Sequence, residues 1–332
     1  MADGSTPRRC LSVVVPVHGN RDSVAETLSQ VLAVQARSFA HLDLEVVFVD
    51  DGSPDDSWDI LQGLRAAHPH EVRLVKLSRN FGQVSAILAG FDVVKGDAVV
   101  TISADLQDPV ELIEQMVSHW QAGAEIVVAQ RARRDDDLAS VLFSRVAYGV
   151  ARFANPRIPR GGFDYLLLSR RAKDHIREFR GRHRFFQGDV LWLGLPTVFI
   201  PYERRARTHG RSGWTLSKKL TYFIDLILDS SYLPIRLMSA LGLVIATLGL
   251  LYALVVIAAW LFNSTPFEGF AAIMVVLLVI GGTLMVMLGT VGEYLWRIYD
   301  DVKARPLYII ERLEVGATSE GQDGDAPSRD PS

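Results

Sequence analysis

The sequence predicts an α/β protein, a mostly parallel sheet with flanking helices, carrying an interfacial helix and a two-helix transmembrane hairpin toward its C-terminal end. Short continuous apolar runs alternate with segments of helical periodicity, and clusters rich in Asp, Ser and Asn follow the runs. Far downstream, residues 237–262 and 269–292 contain no charged side chain. Alternation of this kind builds a parallel sheet covered on both faces. A helix rising about 1.5 Å per residue needs roughly 20 apolar residues to cross the ~30 Å apolar slab of a bilayer, and each late stretch is long enough.

The first run, Leu11-Ser12-Val13-Val14-Val15-Pro16, is β-branched and stopped by proline, and residues 22–34 then place Val24, Leu28, Val31 and Leu32 on one helical face. Leu44-Glu45-Val46-Val47-Phe48-Val49 is the second strand, and residues 57–67 the second helix, with Trp58, Leu61 and Leu64 inward. Arg73-Leu74-Val75-Lys76-Leu77 and Ala98-Val99-Val100-Thr101-Ile102 repeat the pattern around a helix at 84–94. After Ile126-Val127-Val128-Ala129 the pattern weakens, and Arg131, Arg133, Arg134, Arg145, Arg152, Arg157 and Arg160 crowd a region with few regular strands. Basic residues beside a membrane attract anionic headgroups by about 1 kcal/mol each.

Residues 217–233 are amphipathic, Leu220, Phe223, Ile224, Ile227 and Leu228 opposing Lys218, Lys219 and Asp225, as in a helix lying in the interface. The loop 263–268 is too short for a domain, so the two apolar stretches form a hairpin. Lys218, Lys219 and Arg236 precede it, Arg297, Lys303 and Arg305 follow it, and its loop has no Lys or Arg. By the positive-inside rule both termini lie on the cytoplasmic side of the membrane. Residues 316–332, rich in Gly, Ser, Asp and Glu, are expected to be disordered.

The 332 residues leave room for one sizeable α/β domain besides the hairpin. A net charge of −3 gives no reason to expect a nucleic-acid partner. The single cysteine, Cys10, excludes an internal disulfide framework and fits a reducing compartment. No long apolar segment follows Arg8-Arg9, so no cleaved signal is expected.

In open parallel sheets, ligands bind beyond the carboxyl ends of the strands. Pro16-Val17-His18-Gly19-Asn20, Asp50-Asp51-Gly52-Ser53 and Ser103-Ala104-Asp105-Leu106-Gln107-Asp108-Pro109 all fall there. Asp-Gly alone is ordinary turn chemistry. Asp105 and Gln107 are more demanding: two apart on an extended backbone, they would point the same way, as a hard divalent cation holding phosphate oxygens requires. No Cys-x-x-Cys or His-x-x-x-His set is present, which argues against structural zinc. Asp108-Pro109 with Glu111 opens the next helix, and capping is the expected role of Asp108.

Val14-Val15-Pro16-Val17, Val49-Asp50-Asp51-Gly52-Ser53-Pro54-Asp55-Asp56, Asn80-Phe81-Gly82-Gln83 and Ala104-Asp105-Leu106-Gln107-Asp108-Pro109 resemble the family 2 GT-A glycosyltransferases. The resemblance narrows to polyprenyl-phosphate glycosyltransferases of the dolichyl-phosphate mannose synthase and bacterial undecaprenyl-phosphate glucosyltransferase type. It continues through Gly161-Gly162-Phe163-Asp164, Arg182-His183-Arg184-Phe185, Ile200-Pro201-Tyr202 and Gly210-Arg211-Ser212-Gly213-Trp214. It implies a Rossmann-like GT-A catalytic domain over 11–215, an interfacial helix at 216–235 and a hairpin at 236–298. A tail at 1–10, a cytoplasmic segment at 299–315 and the tail 316–332 complete the chain.

By the same resemblance, Pro16, Val17, Asp50 and Asp51 contact the base and ribose of a nucleotide-sugar donor, with His18, Gln83 and Ser103 in that set. Asp105 and Gln107 would hold Mg²⁺ or Mn²⁺ against the donor diphosphate. Arg131 and Arg145 face the phosphate of a polyprenyl phosphate acceptor, undecaprenyl phosphate in bacteria, and with Asp105 form the expected catalytic set. Arg207, Arg211 and Ser212 lie in a segment that closes on the site and also serve the acceptor phosphate. Membrane lipids are the remaining partner, and a homo-oligomer stays open. An acceptor phosphate is already anionic at neutral pH, so positioning and charge neutralisation, more than a general base, carry an inverting transfer of one sugar.

The sequence departs from the family pattern at three places. Ser103 stands at the first position of the Asp-x-Asp motif, His18-Gly19-Asn20 where many members have Tyr-Asn-Glu, and Asp164 where many have Arg. Two alternatives stay in view. A processive polysaccharide synthase would carry Gln-x-x-Arg-Trp and usually more spans, neither of which is present; a membrane binding or scaffold protein with a weakened site would explain Ser103.

Overall fold

The computed structural model describes residues 8–131, 163–179, 181–182, 184–204, 233–262 and 270–315. Strands β1 (Cys10–Val17), β2 (Asp43–Asp50), β3 (Val72–Leu77) and β4 (Ala98–Thr101) alternate with helices α1 (Val24–Ser38), α2 (Ser57–Ala67) and α3 (Gln83–Val93). They follow the periodicity of the sequence, α1 running past residue 34 to Ser38. Helix α4 (Leu112–Gln121) and strand β5 (Ile126–Arg131) come next.

Beyond β5 the structure is more regular than the sequence suggests. It contains β6 (Leu166–Ser169), α5 (Arg170–Glu178), α6 (Phe186–Trp192) and β7 (Thr197–Tyr202). Strand β6 is only 4 residues long. Helix α5 buries Ala172, Lys173 and Ile176 amid charged neighbours, so its apolar periodicity is almost invisible. Ser169 starts it, its hydroxyl accepting from the Ala172 amide at 3.1 Å, which satisfies one of the open N–H groups of a helix end.

The sheet order is β7-β5-β6-β4-β1-β2-β3-β8, with β8 spanning Ile310–Glu314. Strands β1 to β4 are mutually parallel, β5 and β7 are parallel, and β6 and β8 run against their neighbours. Apolar strands are buried on both faces. Val13, Val15 and Val17 pack with Leu28 and Val31 of α1, Leu61 of α2 and Met116 of α4, whereas Val14, Val47 and Val49 pack with Phe91 of α3 and Ile176 of α5. Each fully buried Val contributes about 1.5–3 kcal/mol.

Helices α7 (Leu233–Leu261) and α8 (Phe270–Val302) follow and touch one another. Among the described residues, α8 is long and apolar enough to cross a membrane over Val279–Val302, and the apolar run in α7, Leu237–Tyr252, is shorter. Leu284, Leu288, Val291 and Leu295 of α8 are exposed. The expected interfacial helix, except for its last residues at 233–235, which open α7, and the C-terminal tail lie outside the described residues.

Cys10 opens β1, its amide donating to Asp97 Oδ2 at 2.9 Å. Burial, with Glu45 and Asp43 nearby, pushes its thiol up to about 11. The thiol therefore stays protonated at neutral pH and ionises only as pH rises toward that value. Relative to an unperturbed thiol, its alkylation at pH 7.5 should be slower by about a hundredfold, because the thiolate is the nucleophile. Iodoacetamide labelling followed by mass spectrometry reads this directly, and labelling as fast as glutathione would contradict it.

Candidate active site

The loops after β1, β2, β3 and β4 meet at the carboxyl edge of the sheet because those strands run parallel and adjacent. Val17 is paired with Asp50, and the Asp51 amide donates to the Val17 carbonyl at 2.9 Å. The turn then closes on itself: the Ser53 amide donates to Asp50 Oδ1 at 3.0 Å, and the Gly19 amide to Ser53 Oγ at 3.2 Å. Asp51 faces the loop after β3, where the Phe81 and Gly82 amides donate to its two carboxylate oxygens at 2.7 and 2.9 Å. Burial raises its pKa, and those two amides oppose the rise.

Gly52 makes this approach possible. Its φ is +63°, and a Cβ built there would lie 2.6 Å from the backbone carbon of Arg79. His18, exposed above the turn, has Nδ1 3.1 Å from the Asp51 carbonyl oxygen and Nε2 3.0 Å from Asn80 Nδ2. Pro16 is half-buried at the end of β1, and Gln83 is exposed as the first residue of α3. Thus Pro16, Val17, His18, Asp50, Asp51 and Gln83 share one neighbourhood.

Ser103 and Asp105 follow β4 at the same edge, Ser103 half-buried and Asp105 8% exposed. The expectation of an extended Asp105-Leu106-Gln107 segment is corrected by the backbone. Leu106 has φ +57°, and the Gln107 amide donates to Asp105 Oδ1 at 3.2 Å. This is a turn in which the carboxylate bonds its own backbone two residues on, and it leaves Asp105 Oδ2 facing Arg204 Nη2 at 3.8 Å.

The capping role expected of Asp108 is corrected as well. Helix α4 begins at Leu112 with no side-chain cap, and Asp108, 2% exposed, accepts the Tyr202 hydroxyl at 2.6 Å. Arg204 Nε lies 3.4 Å from the same carboxylate without the alignment of a hydrogen bond. Burial raises the pKa of Asp108, and Arg204 and Tyr202 pull it back.

Tyr202 also joins Arg131. The two are register partners on β7 and β5, and Arg131 Nε reaches the Tyr202 hydroxyl oxygen at 3.4 Å. Arg131 Nη2 pairs with Asp164 Oδ2 at 3.3 Å, and Gln187 donates to Asp164 Oδ1 at 2.9 Å. Asp164 reaches this edge because β6 runs antiparallel to β4 and β5, so its first residues sit where those strands end. Burial works against the Arg131 charge, but Asp164 and Tyr202 more than offset it and hold the guanidinium ionised.

Arg145, Arg207, Arg211 and Ser212 lie outside the described residues. Three members of the constellation were absent from the sequence reading of the site: Arg204, Tyr202 and Gln187. Tyr202 falls within the Ile200-Pro201-Tyr202 motif, but the roles of Tyr202 and Arg204, two apart at the end of β7, follow only from recognising that Thr197–Tyr202 is a strand parallel to β5.

Residues 12–186 match the family model described as Glycosyl transferase family 2. The chain belongs to glycosyl transferase family 2. The SfII prophage-derived bactoprenol glucosyl transferase of Shigella flexneri is 34% identical over 313 residues, covering 92% of this chain and 99% of that one. Among solved structures, glucosyl-3-phosphoglycerate synthase from Mycobacterium tuberculosis in complex with phosphoglyceric acid is similar with a TM-score of 0.51 and 18% identity, covering 67% of this chain and 80% of that chain. The same enzyme in complex with Mn²⁺, uridine-diphosphate-glucose and phosphoglyceric acid gives a TM-score of 0.50 at 18% identity, over 67% of this chain and 79% of that one. These likenesses establish the GT-A type of fold for this family 2 glycosyltransferase, and the converging loops are where such a sheet presents its ligand site.

Proposed function

We propose that this glycosyltransferase moves one sugar from a nucleotide donor to polyprenyl phosphate, undecaprenyl phosphate in a bacterium, with inversion at the anomeric carbon. It works as a membrane enzyme with its catalytic domain, 11–215, and both termini on the cytoplasmic side and a hairpin at 236–298. The observation that carries the acceptor is the bactoprenol glucosyl transferase relative, whose similarity spans 92% of this chain and so includes the long C-terminal helices. The exposed apolar side chains of α8 support a lipid surrounding. Neither the processive synthase nor the weakened scaffold is favoured by that relative.

The donor nucleotide would rest against Pro16, Val17, His18, Asp50, Asp51, Gln83 and Ser103. Among the described residues no group of three or more His, Cys, Asp or Glu is placed to hold a metal by itself. A hard divalent cation held by one or two protein ligands, with substrate phosphates completing its shell, fits Asp105, and Gln107 would join it from across the turn at Leu106 rather than from an extended strand. The Asp105 carboxylate faces Arg204 at 3.8 Å, so a cation bound there would share the carboxylate with that guanidinium or displace it. When bound, Mg²⁺ or Mn²⁺ would neutralise charge on the departing nucleoside diphosphate.

Arg131, held charged by Asp164, would offset the repulsion between acceptor and donor anions, together with Arg145, Arg207, Arg211 and Ser212. Asp164 is then the positioning partner of Arg131. The decisive experiment incubates membranes holding the protein with radiolabelled nucleotide sugars and measures label in extractable lipid. Label in polymer on a non-phosphate acceptor would overturn the proposal. In the same assay Arg145→Ala should raise the polyprenyl phosphate requirement about tenfold to a hundredfold, the equivalent of the roughly 1.5–3 kcal/mol in a charge-assisted hydrogen bond. Donor binding by calorimetry should not change, and equal losses in both would make Arg145 structural.

A further inference from the structure

The chain after α8 doubles back onto the sheet and is fastened at successive points. Arg182 holds the end of α8: its Nε is 2.9 Å from Asp300 Oδ2, its amide donates to Asp301 Oδ1 at 3.0 Å, and its Nη1 donates to the Arg305 carbonyl at 3.1 Å. The Tyr308 hydroxyl then meets the Asp92 carboxylate and the Leu88 carbonyl, both on α3. Strand β8 finally adds to the outer edge of β3, Leu77 facing Ile310 and Leu74 facing Glu314. Glu314 is held from α2 by Arg65 Nη1 at 3.1 Å and Gln62 Nε2 at 3.3 Å.

These attachments bracket a single loop. Strand β3 ends at Leu77 and α3 begins at Gln83, so residues 78–82 are the whole connection. Its first amide, from Ser78, donates to the Ile309 carbonyl at 3.0 Å. Its last two amides go to Asp51, and its Asn80 side chain meets His18. The C-terminal segment thus supports the strand before the loop and the helix after it, while the donor-side residues hold the loop from within.

We propose that residues 304–315 are a positioning element of the donor site, holding loop 78–82 where Asp51 and His18 meet it, so that nucleotide affinity depends on the docking of β8. This rests on the donor reading above. Without β8, β3 becomes an edge strand whose end frays, and the loop after it occupies its binding arrangement for only part of the time. Apparent affinity falls by that fraction. A strand that merely completes the sheet would lower stability and leave affinity and local exchange at the loop untouched.

The test compares the full chain with a chain stopped after Val315, which keeps β8, and one stopped after Arg305, which lacks it. UDP binding in the presence of Mn²⁺ is measured by calorimetry, and amide exchange at 78–82 is measured without ligand. Stopping after Val315 should change neither. Stopping after Arg305 should weaken UDP about tenfold and speed exchange at 78–82 but not in β1 or β4, and a peptide of residues 306–315 should reverse both. Should the shortened chain fail to fold, Glu314→Lys in the full chain sets like charges beside Arg65 and should weaken UDP by about two- to fivefold with faster exchange at the loop. Unchanged exchange and affinity in a folded variant lacking β8 overturn the proposal. If the unaltered protein binds neither UDP nor any other nucleoside diphosphate, the donor reading is at fault, and exchange at 78–82 alone still decides for or against the positioning element.

Discussion

Asp105→Asn is expected to reduce sugar transfer by about a hundredfold or more, because a neutral amide cannot balance a divalent cation and the diphosphate beside it. The substitution keeps the shape of the side chain, and the amide oxygen can still accept from the Gln107 amide, so the turn at Leu106 should persist. What it removes is the charge next to Arg204, 3.8 Å away. Two measurements separate these effects. Initial rate against Mn²⁺ concentration should show transfer lost at every metal concentration, and thermal unfolding should show a midpoint close to that of the unaltered protein. Full activity of either protein in excess chelator would refute the role given to Asp105.

Gly52→Ala should be the most damaging single change on the donor side. The added methyl would sit 2.6 Å from Arg79 C, 2.7 Å from Asn80 N and 2.9 Å from Arg79 Cα, all backbone atoms that cannot rotate away. Its φ of +63° adds strain for any residue with a Cβ. Together these should cost about 3 kcal/mol or more and push loop 78–82 off Asp51. A lowered unfolding midpoint with UDP binding weakened at least about tenfold is the expected pair of results. An unchanged midpoint would mean that the loop yields more easily than the geometry indicates.

The part of the fold that was legible in the sequence is the part where burial on both strand faces writes a continuous apolar run. Val13-Val14-Val15 and Val46-Val47-Phe48-Val49 are such runs, and the polar residues that interrupt them mark the ligand edge. Strands β6 and β7 were not legible. The first is 4 residues long, and the second alternates exposed Phe199 and Pro201 with buried Ile200 and Tyr202 around a proline. Part of the Arg131 side was hidden with them: Arg131 itself was expected there, but the roles of Tyr202 and Arg204 follow only once β7 lies beside β5. The Asp108 and Leu106 corrections have another origin. Capping and an extended backbone are local expectations, and here a tertiary partner, the Tyr202 hydroxyl, and a left-handed residue override them.

The place of β8 in the sheet also orders the birth of the protein. Gln62 and Glu314 touch although they are 252 residues apart, and both long helices are synthesised between them. At roughly 5–20 residues per second, the outer edge of β3 waits about 10–50 s for its neighbour while the ribosome delivers α7 and α8. An unpaired edge is an invitation to foreign strands, and charged side chains along it are the usual deterrent. Lys76, a charged residue in a strand that ends up interior, sits on that waiting edge. The sheet is therefore finished only after both long apolar helices have been made.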